Sequence, residues 1–191
     1  MKASRENRPT VSGAASDEPR RAAFRDLHGP RLHGFALLLT LGDQPLAARL
    51  AAQALAASAT RTSELSHPER AAAWLRQHVV RGAGGRLGVA DARPDRRRPA
   101  LEELGVDGVA LAGLSALGVR ERAALVATTV ERLDRRDVAQ IVGMDGTRLE
   151  RLVRRARRRA LRAGGVAFDD RADADGPLAT RIRAIAARTM A

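Results

Sequence analysis

Phe24, Phe35, Phe168 and Trp74 are the only aromatic side chains in this chain, and there is no tyrosine. Runs of Val, Ile and Thr long enough to make a strand are nearly absent as well. Sheets draw their stability from β-branched and aromatic side chains packed on a pleated surface, whereas Ala and Leu are the best helix formers. A core for this chain must be built mainly from Leu, Ala and scattered Val and Ile, so the expected fold is all-α.

Several chemistries are excluded at the outset. With no cysteine there is no disulfide, no thiolate nucleophile and no cysteine-ligated zinc. The four histidines are His28, His33, His67 and His78, and Pro30 stands between the first two, so neither a metal nor a cofactor is expected. The longest apolar stretch, Phe35 to Leu41, is far short of the ~20 residues a bilayer requires. It reads as a core helix. The start of the chain is polar, with Pro9, Gly13 and Pro19 and no apolar segment of a secretory signal, so a cytoplasmic protein is expected.

The formal net charge is +12, and Lys2 is the only lysine. The excess is concentrated in two blocks. Residues 21–86 hold nine Arg against four acids, and residues 114–164 hold thirteen Arg against six. The rest of the chain is close to balanced. Arginine gathered on the segments that look folded suits a polyanionic partner, because neutralised phosphates release counterions. A merely solvated basic surface is the bland alternative.

Punctuation divides the chain further. Residues 1–20 are expected to be disordered. Residues 21–86 form a helical domain, with one helix carrying Phe24 and Leu27 and ending near Gly29-Pro30. A second carries Leu32, Phe35, Leu38 and Leu39 and ends at Gly42-Asp43. Gln44-Pro45 opens a third bearing Leu46, Leu50 and Leu55, since proline suits a first helical turn. Ser66 and Glu69 have capping-box spacing ahead of a fourth, with Ala72, Leu75 and Val79 along one side and Trp74 beside them. Residues 87–112 read as a flexible linker, with Pro94, Pro99 and Arg96-Arg97-Arg98. Gly82 to Gly85 follow a helix and lack phosphate-loop spacing. Residues 113–164 form a second helical domain, and residues 165–191 an acidic stretch with a short tail helix.

The sharpest pattern is in the second domain. Asp134 can cap a short helix that buries Val138, Ile141 and Val142. Gly143 then stands where a left-handed C-terminal cap favours a residue without Cβ. Met144 is an apolar plug, and Asp145 caps the next helix. Two helices joined by so short a turn must cross steeply. The second has Leu149, Leu152, Val153, Ala156 and Ala160 as one apolar stripe. At 100° per residue, Thr147, Arg151, Arg154 and Arg158 point away from the stripe, flanked by Arg148 and Arg155. Such a helix anchors by one face and offers guanidinium groups to a DNA groove with the other, its first turns near base edges and later arginines, Arg157 and Arg159 among them, on phosphates.

These residues resemble a known family. Leu114, Leu117, Arg120-Glu121-Arg122, Ala124-Leu125-Val126, Leu133-Asp134, Val138-Ala139, Ile141 to Asp145 and Arg155-Ala156-Arg157 make residues 113–162 similar to region four of the extracytoplasmic-function sigma factors. Phe24 through Asp43, Ala47 to Ala56, Pro68, Trp74-Leu75 and Arg81 resemble region two. The resemblance implies two helical domains clamped on RNA polymerase core, the first reading and melting the −10 element and the second reading the −35 element. Polymerase does the chemistry, so the chain itself is not expected to be an enzyme. Promoter or polymerase contacts would fall on Arg49, Gln53, Trp74 and Arg81, and an anti-sigma protein is a further partner the resemblance implies. The chain departs from the pattern where the family has acids facing the polymerase clamp. Here the run is Ala48-Arg49-Leu50-Ala51-Ala52-Gln53, and the melting segment near Thr60 to His67 lacks an aromatic ring. Two readings therefore stand beside the initiation factor. One is a sigma-like DNA-binding regulator that binds no polymerase, the other an adaptor that binds another protein.

Overall fold

The structure is a computed structural model describing residues 12–59, 61, 67–84 and 108–165. Among these residues the regular structure is entirely helical: α1 (Ser12–Thr40), α2 (Gln44–Ser58), α3 (Pro68–Gly84), α4 (Gly108–Ser115), α5 (Val119–Thr129), α6 (Arg135–Val142) and α7 (Gly146–Ala163). None of these helices is long and apolar enough to cross a membrane.

The first helices differ from the sequence-based expectation. α1 does not stop at Gly29-Pro30 but runs through both Pro19 and Pro30. Pro30 has no N–H for the carbonyl of Asp26. Both residues are exposed, so that carbonyl can turn to water. What fixes the helix is downstream, where Leu32, Phe35, Leu38 and Leu39 are buried. Once that segment is nucleated, extension toward the N-terminus adds a bond for each residue ordered. This accounts for helix from Ser12 where disorder to residue 20 was expected. The other end stops as the sequence suggested. Leu41 and Gly42 take left-handed φ of 57° and 81°, and the Gly42 amide donates to the Leu37 carbonyl at 2.9 Å. Asp43 then caps α2 by accepting from the Leu46 amide at 3.0 Å. Ser66, the first member of the expected capping pair with Glu69, lies outside the described residues, as do the tail and most of the linker. α4 begins at Gly108, inside the range read as linker.

The two basic blocks share one core. Leu32, Phe35 and Leu39 of α1, Leu46 and Leu50 of α2 and Leu75 and Val79 of α3 join Leu125, Val126, Ile141 and Leu152 from the later helices. α3 lies against α6, and α1 against α5. Polar groups, two of them buried arginines, bridge the same seam. Arg122, 6% exposed, donates to the carbonyls of Leu114 (3.0 Å), Leu117 (2.8 Å) and Leu39, the last in α1. Arg76 of α3 forms a two-pronged ion pair with Glu131, both side chains under a tenth exposed. Gln77 Nε2 donates to the Gln140 carbonyl of α6 at 2.8 Å.

One buried group is expected to make the fold sensitive to acid. His28 stacks on Phe24 with ring centroids 4.5 Å apart, and its Nε2 is buried without a partner. Burial pushes its pKa below the usual 6.5, and the positive Arg76 and Arg31 push the same way. The folded state therefore refuses a proton that the unfolded chain accepts near pH 6.5. The stability this contributes is full above that pH and is lost as pH falls through the folded-state value. His78 is shifted in the same direction by burial and by Arg81 and Arg61. The melting temperature is expected to drop between about pH 7.5 and about pH 5.0, and His28→Leu should make the drop shallower. An equal drop in the variant would remove His28 as a cause.

Candidate nucleic-acid interface

The pair α6–α7 is built by three local devices that the sequence announces. Asp134 accepts from the amides of Arg136 (2.8 Å) and Asp137 (2.9 Å), satisfying two free donors at the start of α6. Gly143 closes α6 with φ 68°, and the Met144 amide donates back to the Ala139 carbonyl at 3.0 Å. Met144 packs on the core. Asp145 accepts from the Arg148 amide at 2.9 Å and starts α7. A Cβ at Gly143 would meet nothing within 4 Å, so Gly143→Ala tests the backbone alone. The left-handed conformation is expected to cost about 1–2 kcal/mol. In urea the midpoint should fall while the slope of the transition stays unchanged.

Tertiary contacts then fix the crossing. Arg135 of α6 donates to the Gly146 carbonyl at 3.1 Å and pairs with Glu150, both on α7. α7 is seated on α5 and α4. At Gly113 in α4 the helices come so close that a Cβ would lie 3.0 Å from the Ala160 carbonyl oxygen.

α7 buries Leu149, Leu152, Ala156, Ala160 and Leu161, with Val153 half-buried. Thr147, Arg148, Arg151, Arg154, Arg155 and Arg158 are all exposed. They differ in what they bind. Arg148 leans back on its own cap, Nε 3.4 Å from Asp145 Oδ2. Arg151, Arg154 and Arg158 make no hydrogen bond or ion pair with any described residue. Arg155 donates from Nε to Glu121 Oε1 at 3.0 Å. Arg159 is held twice, by Glu121 Oε2 and by the Ala116 carbonyl, each at 2.8 Å. Arg157 is half-buried. The outward face is thus a row of guanidinium groups on a helix braced from behind, with the start of α6 and exposed Arg136 beside it. Paired donors on such groups match phosphates and the O6/N7 edge of guanine.

The remaining candidates lie on other helices. Arg49 and Gln53 are exposed one turn apart on α2. Trp74 is half-buried on α3, its ring 4.8 Å from that of His78 and 6.0 Å from the Arg61 guanidinium carbon. Arg81 is exposed in the last turn of α3. No bond joins these four to the arginine row among the described residues. An apolar groove of about 560 Å³ runs between α1 and α2, lined by Phe24, Leu27 and Leu55 among others, without an acid–base pair. Among the described residues no three His, Asp or Glu are grouped as metal ligands would be.

Glu121 escaped the sequence reading. It stands in an Arg-Glu-Arg run that looks like solvated charge, yet it is 6% exposed. The one available signal was its place three residues after Gly118, whose amide it accepts at 3.1 Å. No protein family, curated protein or solved structure matches this sequence.

Proposed function

We propose that this protein is a sigma-like transcription initiation factor. α7 reads the −35 element of promoter DNA, and the first block, through Arg49, Gln53, Trp74 and Arg81, meets RNA polymerase core and the −10 element. The observation that carries the DNA half is the arrangement of α7. Its leucines are buried at home, Arg151, Arg154 and Arg158 are exposed and unbound among the described residues, and α6 is joined to it by a capped three-residue turn and held against it by Arg135. The polymerase half rests on the resemblance of residues 24–81. Such a factor works in the cytoplasm on the nucleoid, lends polymerase its specificity without catalysis of its own, and is a natural target for an anti-sigma protein.

Exposed Arg49 favours a second reading. A cation at a contact where the family has acids repels what those acids attract, which fits a DNA-binding regulator that has lost polymerase. One experiment separates the two. The purified chain is mixed with core polymerase at low salt, run on a sizing column, and assayed for promoter-directed transcription. Co-migration and transcripts are expected for the initiation factor. Specific duplex binding without co-migration selects the regulator. Neither activity removes both readings and leaves the adaptor.

A further inference from the structure

We propose that Glu121 sorts the arginines of α7, holding Arg155 as a preset phosphate fork and withdrawing Arg159 from DNA. The inference rests on the duplex-binding reading above. Glu121 belongs to α5, and its carboxylate is only 8% exposed. Three donors fix it: the Gly118 amide at 3.1 Å, Arg155 Nε at 3.0 Å and Arg159 Nη1 at 2.8 Å. One anion therefore faces two cations, and about one positive charge is left over.

Where that charge is offered follows from which nitrogens are spent. A guanidinium presents two edges for bidentate bonding, Nη1/Nη2 and Nε/Nη. Arg155 gives only its Nε to Glu121, so its Nη1/Nη2 edge makes no bond among the described residues while the plane is held still. Its side chain is 62% exposed. Arg159 commits Nη1 to Glu121 and Nη2 to the Ala116 carbonyl, which takes a nitrogen from each edge. Equal-looking neighbours on one helix thus have different tasks. Arg155 keeps a free fork already oriented, and loses less side-chain entropy on meeting a phosphate than an unbraced arginine would. Arg159 is a brace between α7 and the turn before α5. Glu121 is a positioning residue that acts through Arg155.

The full chain is titrated with duplex DNA across a series of salt concentrations. Arg155→Ala is expected to weaken binding about tenfold and to flatten the salt dependence by roughly 0.9, the value of one phosphate on B-DNA. Arg159→Ala should leave that slope within about 0.3 of wild type while lowering the melting temperature. In a Glu121→Gln background, Arg155→Ala should cost no more than about threefold, because the preset orientation is already gone. Arg155→Lys keeps the charge and guards against a folding artefact. It should hold the slope yet lose about fivefold in affinity, since an ammonium cannot bond Glu121 and fork a phosphate together. Equal slope losses in the two alanine variants would overturn the assignment, and so would an Arg155→Ala effect left undiminished by Glu121→Gln. Wild type that binds no duplex would instead take down the DNA reading, and this inference with it.

Discussion

Glu131→Ala is expected to destabilise the protein by about 3–5 kcal/mol. The substitution strands the Arg76 guanidinium, whose side chain is 6% exposed, opposite a vacated site. Arg76 would retain only the Ala72 carbonyl at 3.0 Å and the face of Phe35, 5.7 Å from the ring centroid. A buried cation with so little compensation costs far more than the net worth of the pair. Replacing both members, Arg76→Met with Glu131→Leu, should therefore be much milder than either single change, because the cost of desolvating two charges disappears with them. Urea unfolding measures this directly. A single-variant loss under about 1 kcal/mol, or a double variant as damaged as the worse single, would show that water reaches the pair. Ordinary domains hold only about 5–15 kcal/mol in total, so the single variants should also be strongly depleted in cells.

The second large effect concerns DNA. Arg151→Ala is expected to lower affinity for the preferred duplex by about 1–3 kcal/mol, roughly 5- to 150-fold, and to relax the preference at one or two base pairs. Arg151 is in the second turn of α7, exposed and unbound among the described residues, where an inserted helix meets base edges. Arg154→Ala and Arg158→Ala, further along, should weaken all duplexes alike and each reduce the salt slope by about one. Competition between the preferred duplex and a scrambled one distinguishes the two outcomes. Uniform loss from Arg151→Ala would move it from the base-reading group to the phosphate group.

What was legible in the sequence was what is local. The caps at Asp134 and Asp145, the left-handed Gly143 and the leucine stripe of α7 depend on residues within a few positions of one another, and the caps and the turn are realised with hydrogen bonds of 2.8–3.2 Å. The all-helical class followed from composition for a similar reason, since propensity acts residue by residue. Distance in sequence defeated the rest. Arg76 and Glu131 are 55 positions apart, and Glu121 and Arg155 are 34 apart. Each of these charges taken alone looks like a solvated side chain. Only the packing of α3 against the later helices, which brings Arg76 to Glu131 in the turn between α5 and α6, and of α7 on α5, which brings exposed Arg155 to buried Glu121, makes partners of them. The course of α1 through Pro30 was misread by a local rule, because a proline's lost bond is tolerable where water can replace it and the next turn is anchored in the core.

The shared core has a consequence for the chain's connectivity. Leu39 and Arg122, Arg76 and Glu131, and Gln77 and Gln140 couple α1 and α3 to the later helices across a seam that is also apolar. The residues of these links lie at Gln77 or before it and at Arg122 or after it, so a break between Gly84 and Gly108 leaves each link in place. A protein nicked there would hold its halves as a non-covalent complex, and the halves supplied as separate polypeptides would be expected to reassemble by complementation.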